Sequence, residues 1–172
     1  MLSAIVLYEE NAALDGEPVE RMVRSLGSLV RASIDGLLRD VLVAGPARAG
    51  LDVVADHAGC GLVEASGEAQ WLRAAIEAAR EPHVLLLRAG FAPQQGFVEE
   101  AGDLLQSGAE RTAILRAAPD RFLERLFPRV APLAGLIAPR ERCLRTPAAD
   151  VSGLAQALAP VSTMRACARR VA

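Results

Sequence analysis

Two hydrophobic periods alternate along this chain. A continuous apolar run occurs at Val84–Leu87, and short, mainly apolar runs occur at Leu2–Leu7, at Val41–Ala44 after Asp40, at Leu62–Ala65, at Thr112–Leu115 and at Leu133–Ala138. Runs of four to seven residues bounded by Gly, Pro or charge predict strands covered on both faces, as in a parallel sheet. Between them the apolar positions recur at three and four residues, which predicts helices with one buried stripe. Val19, Met22, Val23, Leu26, Leu29 and Val30 form such a stripe behind Pro18. Leu51, Val54 and Ala55 form a second, ended by Gly59; Trp71, Leu72, Ala75, Ile76 and Ala79 form a third, with Ser66 expected as its N-cap; Phe97, Val98, Ala101, Leu104 and Leu105 form a fourth. A short helix through Phe122, Leu123, Leu126 and Phe127 follows Pro119. Pro139 opens a helical turn with three arginines expected at the surface, Asp150 caps a helix through Leu154 and Leu158, and Ser162 is expected to cap a last helix. Strands alternating with helices predict one α/β domain over residues 1–172, a doubly wound, mostly parallel sheet with helices on both faces. Its core spans about 2–145, and the C-terminal helices about 150–170.

Composition refines this picture. Apolar residues make up 52% of the chain and aromatics 3%, so the core is built from Ala, Leu, Val and Ile. Every one of the 19 basic residues is Arg, which removes Lys-based Schiff-base chemistry and points to a GC-rich genome. A net charge of −2 argues against nucleic acid as a partner. The charge is nevertheless uneven: residues 1–86 carry 13 acids and 7 Arg, and residues 87–172 carry 8 acids and 12 Arg. Cys60, Cys143 and Cys167 lack metal-ligand spacing and read as reduced thiols of a cytoplasmic protein. The N-terminus reads as a strand and not as a leader, and no run reaches membrane-spanning length.

Ligands of open parallel sheets bind beyond the carboxyl ends of the strands. That rule places Arg88, Ala89, Gly90 and Phe91 on the ligand side, in a loop without a carboxylate. A guanidinium fixed at Arg88 could hold a diphosphate; pairing with a neighbouring carboxylate is the alternative. Gly45-x-x-x-x-Gly50 lies between a strand and a helix, and Arg48 with backbone N–H groups could meet a phosphate there, although the Lys of a phosphate loop is missing. His57 is expected on a helix surface and His83 at a strand entrance, and Cys60 as a small buried residue of a turn.

Ser3-Ala-Ile-Val-Leu-Tyr-Glu-Glu-Asn11, Val41-Leu-Val-Ala-Gly-Pro-Ala-Arg-Ala-Gly50, Val54-Ala-Asp-His-Ala-Gly-Cys60, Leu86-Leu-Arg-Ala-Gly-Phe91 and Ala134-Gly-Leu-Ile-Ala-Pro-Arg-Glu141 occur in this order. Together they resemble the family 2 glycosyltransferases, nucleotide-sugar enzymes of the GT-A fold, in a short bacterial form. The resemblance implies a GT-A domain that meets a nucleotide diphosphate or nucleotide sugar. It sets Glu9 or Glu10 in the place of the family's first-loop acid. The family's nucleoside-reading Asp falls on the Gly45-Pro46 stretch, and its metal-binding Asp falls on Gly90. No metal or other cofactor is therefore expected, although the family uses a divalent cation. Asp150 is a weak candidate for a catalytic base, with helix capping as its other role. A sugar transferase with weak or lost catalysis, a binding or scaffold protein on the same frame, and an unrelated nucleotide-binding domain all remain open. A protein partner is compatible with each, and the oligomeric state is not legible.

Overall fold

The computed structural model describes residues 1–10, 17–47, 49–108, 111–119 and 131–171. Eight strands form one sheet in the order β3-β2-β1-β4-β7-β6-β8-β5. They are β1 (Leu2–Leu7), β2 (Leu38–Pro46), β3 (Gly61–Ala65), β4 (His83–Arg88), β5 (Phe91–Pro93), β6 (Ala113–Ala117), β7 (Leu133–Pro139) and β8 (Ser162–Arg170). The described helices are α1 (Pro18–Ile34), α2 (Leu51–Ala58), α3 (Glu68–Ala78), α4 (Phe97–Gln106), α5 (Arg140–Arg145) and α6 (Val151–Ala157). The helix expected over Phe122–Phe127 lies outside the described residues.

Strands β3, β2, β1 and β4 run parallel, as their apolar runs predict. β7 is antiparallel to both β4 and β6, β8 is parallel to β6, and β5 is antiparallel to β8. The strand side chains divide by parity between two cores. Leu2, Ala4 and Val6 of β1, with Leu85 and Leu87 of β4, pack under Met22, Leu29, Leu51, Val54 and Phe97 from α1, α2 and α4. Ile5, Leu7, Val84 and Leu86 pack on the opposite face against Trp71, Leu72, Cys143, Val151 and Leu154 from α3, α5 and α6. The fold is thus an α/β sheet with helices on both faces.

Three local expectations need correction. Residues 162–170 are a strand and not a helix: Met164, Ala166 and Ala168 are buried while Arg165 and Arg169 are exposed, a period of two. Free edges beside β6 and β5 recruit this segment against its helix-favouring Ala and Arg content, and tertiary pairing overrides propensity. Both carboxylate oxygens of Glu100 on α4 accept backbone N–H bonds from Arg165 and Ala166 at 2.8 Å, where the β6–β8 register shifts. Ser66 does not cap α3; Gly67 is the N-cap, and Ser66 Oγ donates to Gln70 Oε1 at 3.2 Å. Of the three arginines of α5, Arg140 and Arg142 are half-buried. Arg140 donates to the carbonyls of Ile76 and Glu77 at 2.8 and 2.7 Å, and Arg142 donates to that of Leu158 at 3.0 Å. These carbonyls end α3 and α6, where cations complete the orphan acceptors of a helix C-terminus.

Leu86 is fully buried in a central strand, whereas Leu62 on edge strand β3 is 37% exposed. Leu86→Ala is expected to cost about 2–5 kcal/mol in denaturant unfolding, and Leu62→Ala less than about 1 kcal/mol. Equal losses would contradict this division of the sheet into centre and edge.

Candidate functional site at the carboxyl edge

Parallel pairing places the ends of β1 and β4 side by side, with Leu7 in register with Arg88. The chain beyond Leu7 is pinned on both sides: Tyr8 N–H donates to Ala44 O, and Ala89 N–H donates to Leu7 O, both at 2.8 Å. Glu9 therefore meets Arg88. Arg88 Nε donates to Glu9 Oε2 at 2.6 Å, Nη2 also contacts that oxygen, and Nη1 donates to Leu133 O at 3.1 Å. Both side chains are about one-fifth exposed, so the pair is shielded from water without being sealed. Arg21, in the first turn of α1 and 2% exposed, donates to Glu9 O at 2.8 Å and fixes the loop from below.

Two further carboxylates belong to this edge. Glu68 opens α3 directly after β3, and its carboxyl is pushed up chiefly by burial, then by the charges of Asp150 and Glu9, with Arg88 opposing. Asp150 caps α6, its Oδ1 accepting from Gly153 N–H at 2.6 Å. Tyr8, half-exposed, presents an aromatic ring, and burial followed by the charge of Glu10 raises its hydroxyl pKa. Glu10 is exposed. Sequence reasoning did not assign Tyr8 or Glu68 to the site, although both stand just past strand ends. Arg48 lies outside the described residues.

The loop after Arg88 does not remain on the ligand side. Ala89, Gly90 and Phe91 are buried, because Gly90, at φ +93°, turns the chain into β5 and lets Phe91 enter the core. Gly90 N–H donates to Ser25 Oγ of α1 at 2.9 Å, and Gly90 O accepts from Val171 N–H at 2.9 Å. Gly90, expected at a nucleotide site, is thus a buried residue whose N–H and C=O both have partners within the fold. Gly45 is closed as well: a Cβ there would stand 2.6 Å from Tyr8 Cβ and from Leu51 Cδ1. The cation implied by the family does not fit what is present. Its ligand position is a buried glycine, Glu9 is engaged by Arg88, and among the described residues no three His, Cys, Asp or Glu side chains converge as ligands.

No family model matches the sequence, and no curated protein matches it. Solved structures do match in fold. Glucosyl-3-phosphoglycerate synthase from Mycobacterium tuberculosis, in complex with Mn2+, uridine diphosphate and glucosyl-3-phosphoglycerate, superposes with a TM-score of 0.63 at 18% identity, over 94% of this chain and 68% of that one. 4-Diphosphocytidyl-2C-methyl-D-erythritol synthase from Anaerococcus prevotii gives 0.63 at 9% identity over 99% and 89% of the two chains. The bifunctional IspDF from Campylobacter jejuni gives 0.63 at 10% identity over 95% of this chain and 49% of that one. The chain thus shares the GT-A-like fold of these nucleotide-diphospho-sugar transferases. No described helix is long and apolar enough to cross a membrane.

Two predictions follow from this geometry. Gly90→Asp is expected to lower stability by at least about 1–3 kcal/mol, since L side chains are strained at this φ and the carboxylate would be buried. Added manganese should not restore the melting temperature, and a metal-dependent recovery would show that the edge can accept a cation. For Glu68, the folded carboxyl holds its proton more tightly than the unfolded one. Its contribution to stability therefore falls as pH rises through and just above the ordinary glutamate value of about 4.3. Glu68→Gln is expected to flatten that part of the melting-temperature profile relative to the unmodified protein. Parallel profiles would mean that Glu68 does not feel its acidic neighbours.

Proposed function

We propose that this domain binds a nucleotide diphosphate or nucleotide sugar at its carboxyl edge, as a relative of the nucleotide-sugar transferases with weak or lost catalysis. The observation that carries the reading is Arg88, a guanidinium held at the end of central strand β4 by Leu133 O and Glu9, and still partly open to solvent. In this reading Arg88 offers a diphosphate the positive charge that a metal supplies elsewhere on this frame, and a guanidinium matches phosphate oxygens in pairs. The Tyr8 ring offers a face for a base. Glu9 serves as counter-ion and gate of Arg88, Glu10 stands at the exposed lip, and Arg48 is the further phosphate contact suggested by the sequence. Asp150 retains one oxygen beyond its capping bond and is the candidate base for whatever transfer survives. Binding proceeds in this proposal without a divalent cation. A reduced, cytoplasmic, bacterial setting fits the free cysteines and the all-arginine composition.

The second reading is a binding or scaffold protein without chemistry. Its specific support is the closure of two positions that carry acids in the family: Gly45 has no room for a side chain, and Gly90 faces the interior.

Calorimetry with uridine diphosphate, with and without manganese, tests the proposal. The unmodified protein is expected to give saturable binding that manganese does not strengthen. Arg88→Ala should weaken it by about tenfold or more, since a charged hydrogen bond contributes roughly 1.5–3 kcal/mol. That variant also removes the bond to Leu133, so its melting temperature should fall as well. Glu9→Gln is the cleaner probe, because it leaves Arg88 in place and removes its competitor; binding should tighten. Absence of binding by the unmodified protein would sink the proposal. Stoichiometric, chelator-reversible binding that requires manganese would return the chain to the metal-dependent enzymes.

A further inference from the structure

A cavity of about 420 Å3 opens at the other end of the sheet from the carboxyl edge. β7 is antiparallel to β4, so its last residue, Pro139, is in register with His83 at the entry of β4. This brings the Arg80–His83 turn and the start of α5 together, five residues of strand away from Arg88. Four of the nine residues lining the cavity are arginines: Arg80, Arg140, Arg142 and Arg145, set against Glu81 and Glu141. Arginine is only 19 of the 172 residues of the chain, so this density is well above its average.

Two of the guanidiniums are already immobilised. Arg140 is held by the carbonyls of Ile76 and Glu77, and Arg142 by Thr112 Oγ1 at 3.2 Å and by Leu158 O. A ligand meeting them does not have to order those side chains, a cost that usually weakens binding by long cations. Arg80 and Arg145 stand exposed at the rim, and Arg145 is paired only with Glu141, both side chains 79% exposed. Such a solvated pair contributes little and yields readily to a stronger anion. Four arginines against two glutamates leave the concavity net positive, and a bound anion offsets that excess. The volume lies in the usual range for small-molecule sites, roughly 300–1,000 Å3. We infer that this cavity is a binding site for the phosphate group of a small molecule, separate from the carboxyl edge and independent of what binds there.

The test uses the full chain and inorganic phosphate, in a buffer free of other multivalent anions and of divalent metals. Saturable binding heat and a rise in melting temperature are expected. The paired variant Arg80→Ala with Arg145→Ala, which alters only exposed side chains, should weaken binding by about tenfold or more. Arg88→Ala should leave phosphate binding at this cavity unchanged while weakening uridine diphosphate binding at the other edge by about tenfold or more. As a reading that does not depend on a variant, the Arg140 Nε–H resonance should shift on titration. Absence of saturable binding by the unmodified protein overturns the inference. So does phosphate binding that Arg88→Ala abolishes and the paired variant leaves intact, or an Arg140 resonance that stays still at saturation.

Discussion

The parallel register of β1 against β4 is the constraint from which the carboxyl edge follows. Pairing Leu7 with Arg88 leaves the next residues of β1 to pass over the end of β4, and the Tyr8 and Ala89 amides lock that path onto strands on either side. Glu9 has one place to go, beside the guanidinium. An arginine ending a strand buried on both faces would otherwise hold a charge against Leu87 and Ala89 with little water to solvate it, which is costly without a partner. The ion pair is thus first a solution to a folding problem. Its exposure, about one-fifth on each side, is what leaves it available for anything else.

Much of this architecture was legible in the chain because buried strands and one-sided helices write different periods. β1, β4 and β7 are mainly apolar and buried, and each is central. β8 was not legible. From Met164 to Arg169 the strand alternates buried with more open positions, but its buried members are Met and Ala, which helices favour, and its fully exposed ones there are Arg165 and Arg169. Only the open edges of β6 and β5 make a strand of it, and that information resides in distant parts of the chain. β5 is too short to show any period. The α5 arginines misled for a related reason: charge suggests solvent, yet a guanidinium satisfies a buried helix end better than water can reach it.

The site was legible in part. Arg88 and the choice between diphosphate and carboxylate follow from a strand ending at the ligand edge, and the structure supplies the carboxylate, Glu9. Asp150 follows from capping chemistry, which the bond to Gly153 shows. The convergence of Glu68 with Asp150 and Glu9 could not be read from spacing, because Glu9 follows a strand end while Glu68 and Asp150 stand at two helix starts, and only the finished sheet brings the three to one edge. The inward turn at Gly90 was equally hidden. A glycine after a strand is compatible with an open loop or with a tight reversal, and burial of Phe91 decides between them.

The same pair that stabilises the edge sets the terms on which it can bind. Two of the donors of Arg88 face one oxygen of Glu9, so an anionic ligand enters by exchange and not by filling a vacancy. For a ligand that needs the guanidinium free, apparent affinity is the intrinsic affinity reduced by the fraction of molecules in which Glu9 has let go. The acids Glu68 and Asp150 would lower that affinity further by repulsion, although solvent at the exposed Glu68 screens part of the effect. A diphosphate carries more charge than one carboxylate and can span both arms of the guanidinium, so in the proposed reading it would compete where a monoanion would not. Protonation of Glu68 works in the same direction, because it removes one of the repelling charges. Under the proposed reading, an edge built this way would discriminate by charge and by fork geometry, whereas at a metal-centred edge the cation supplies the attraction and the protein supplies the ligands.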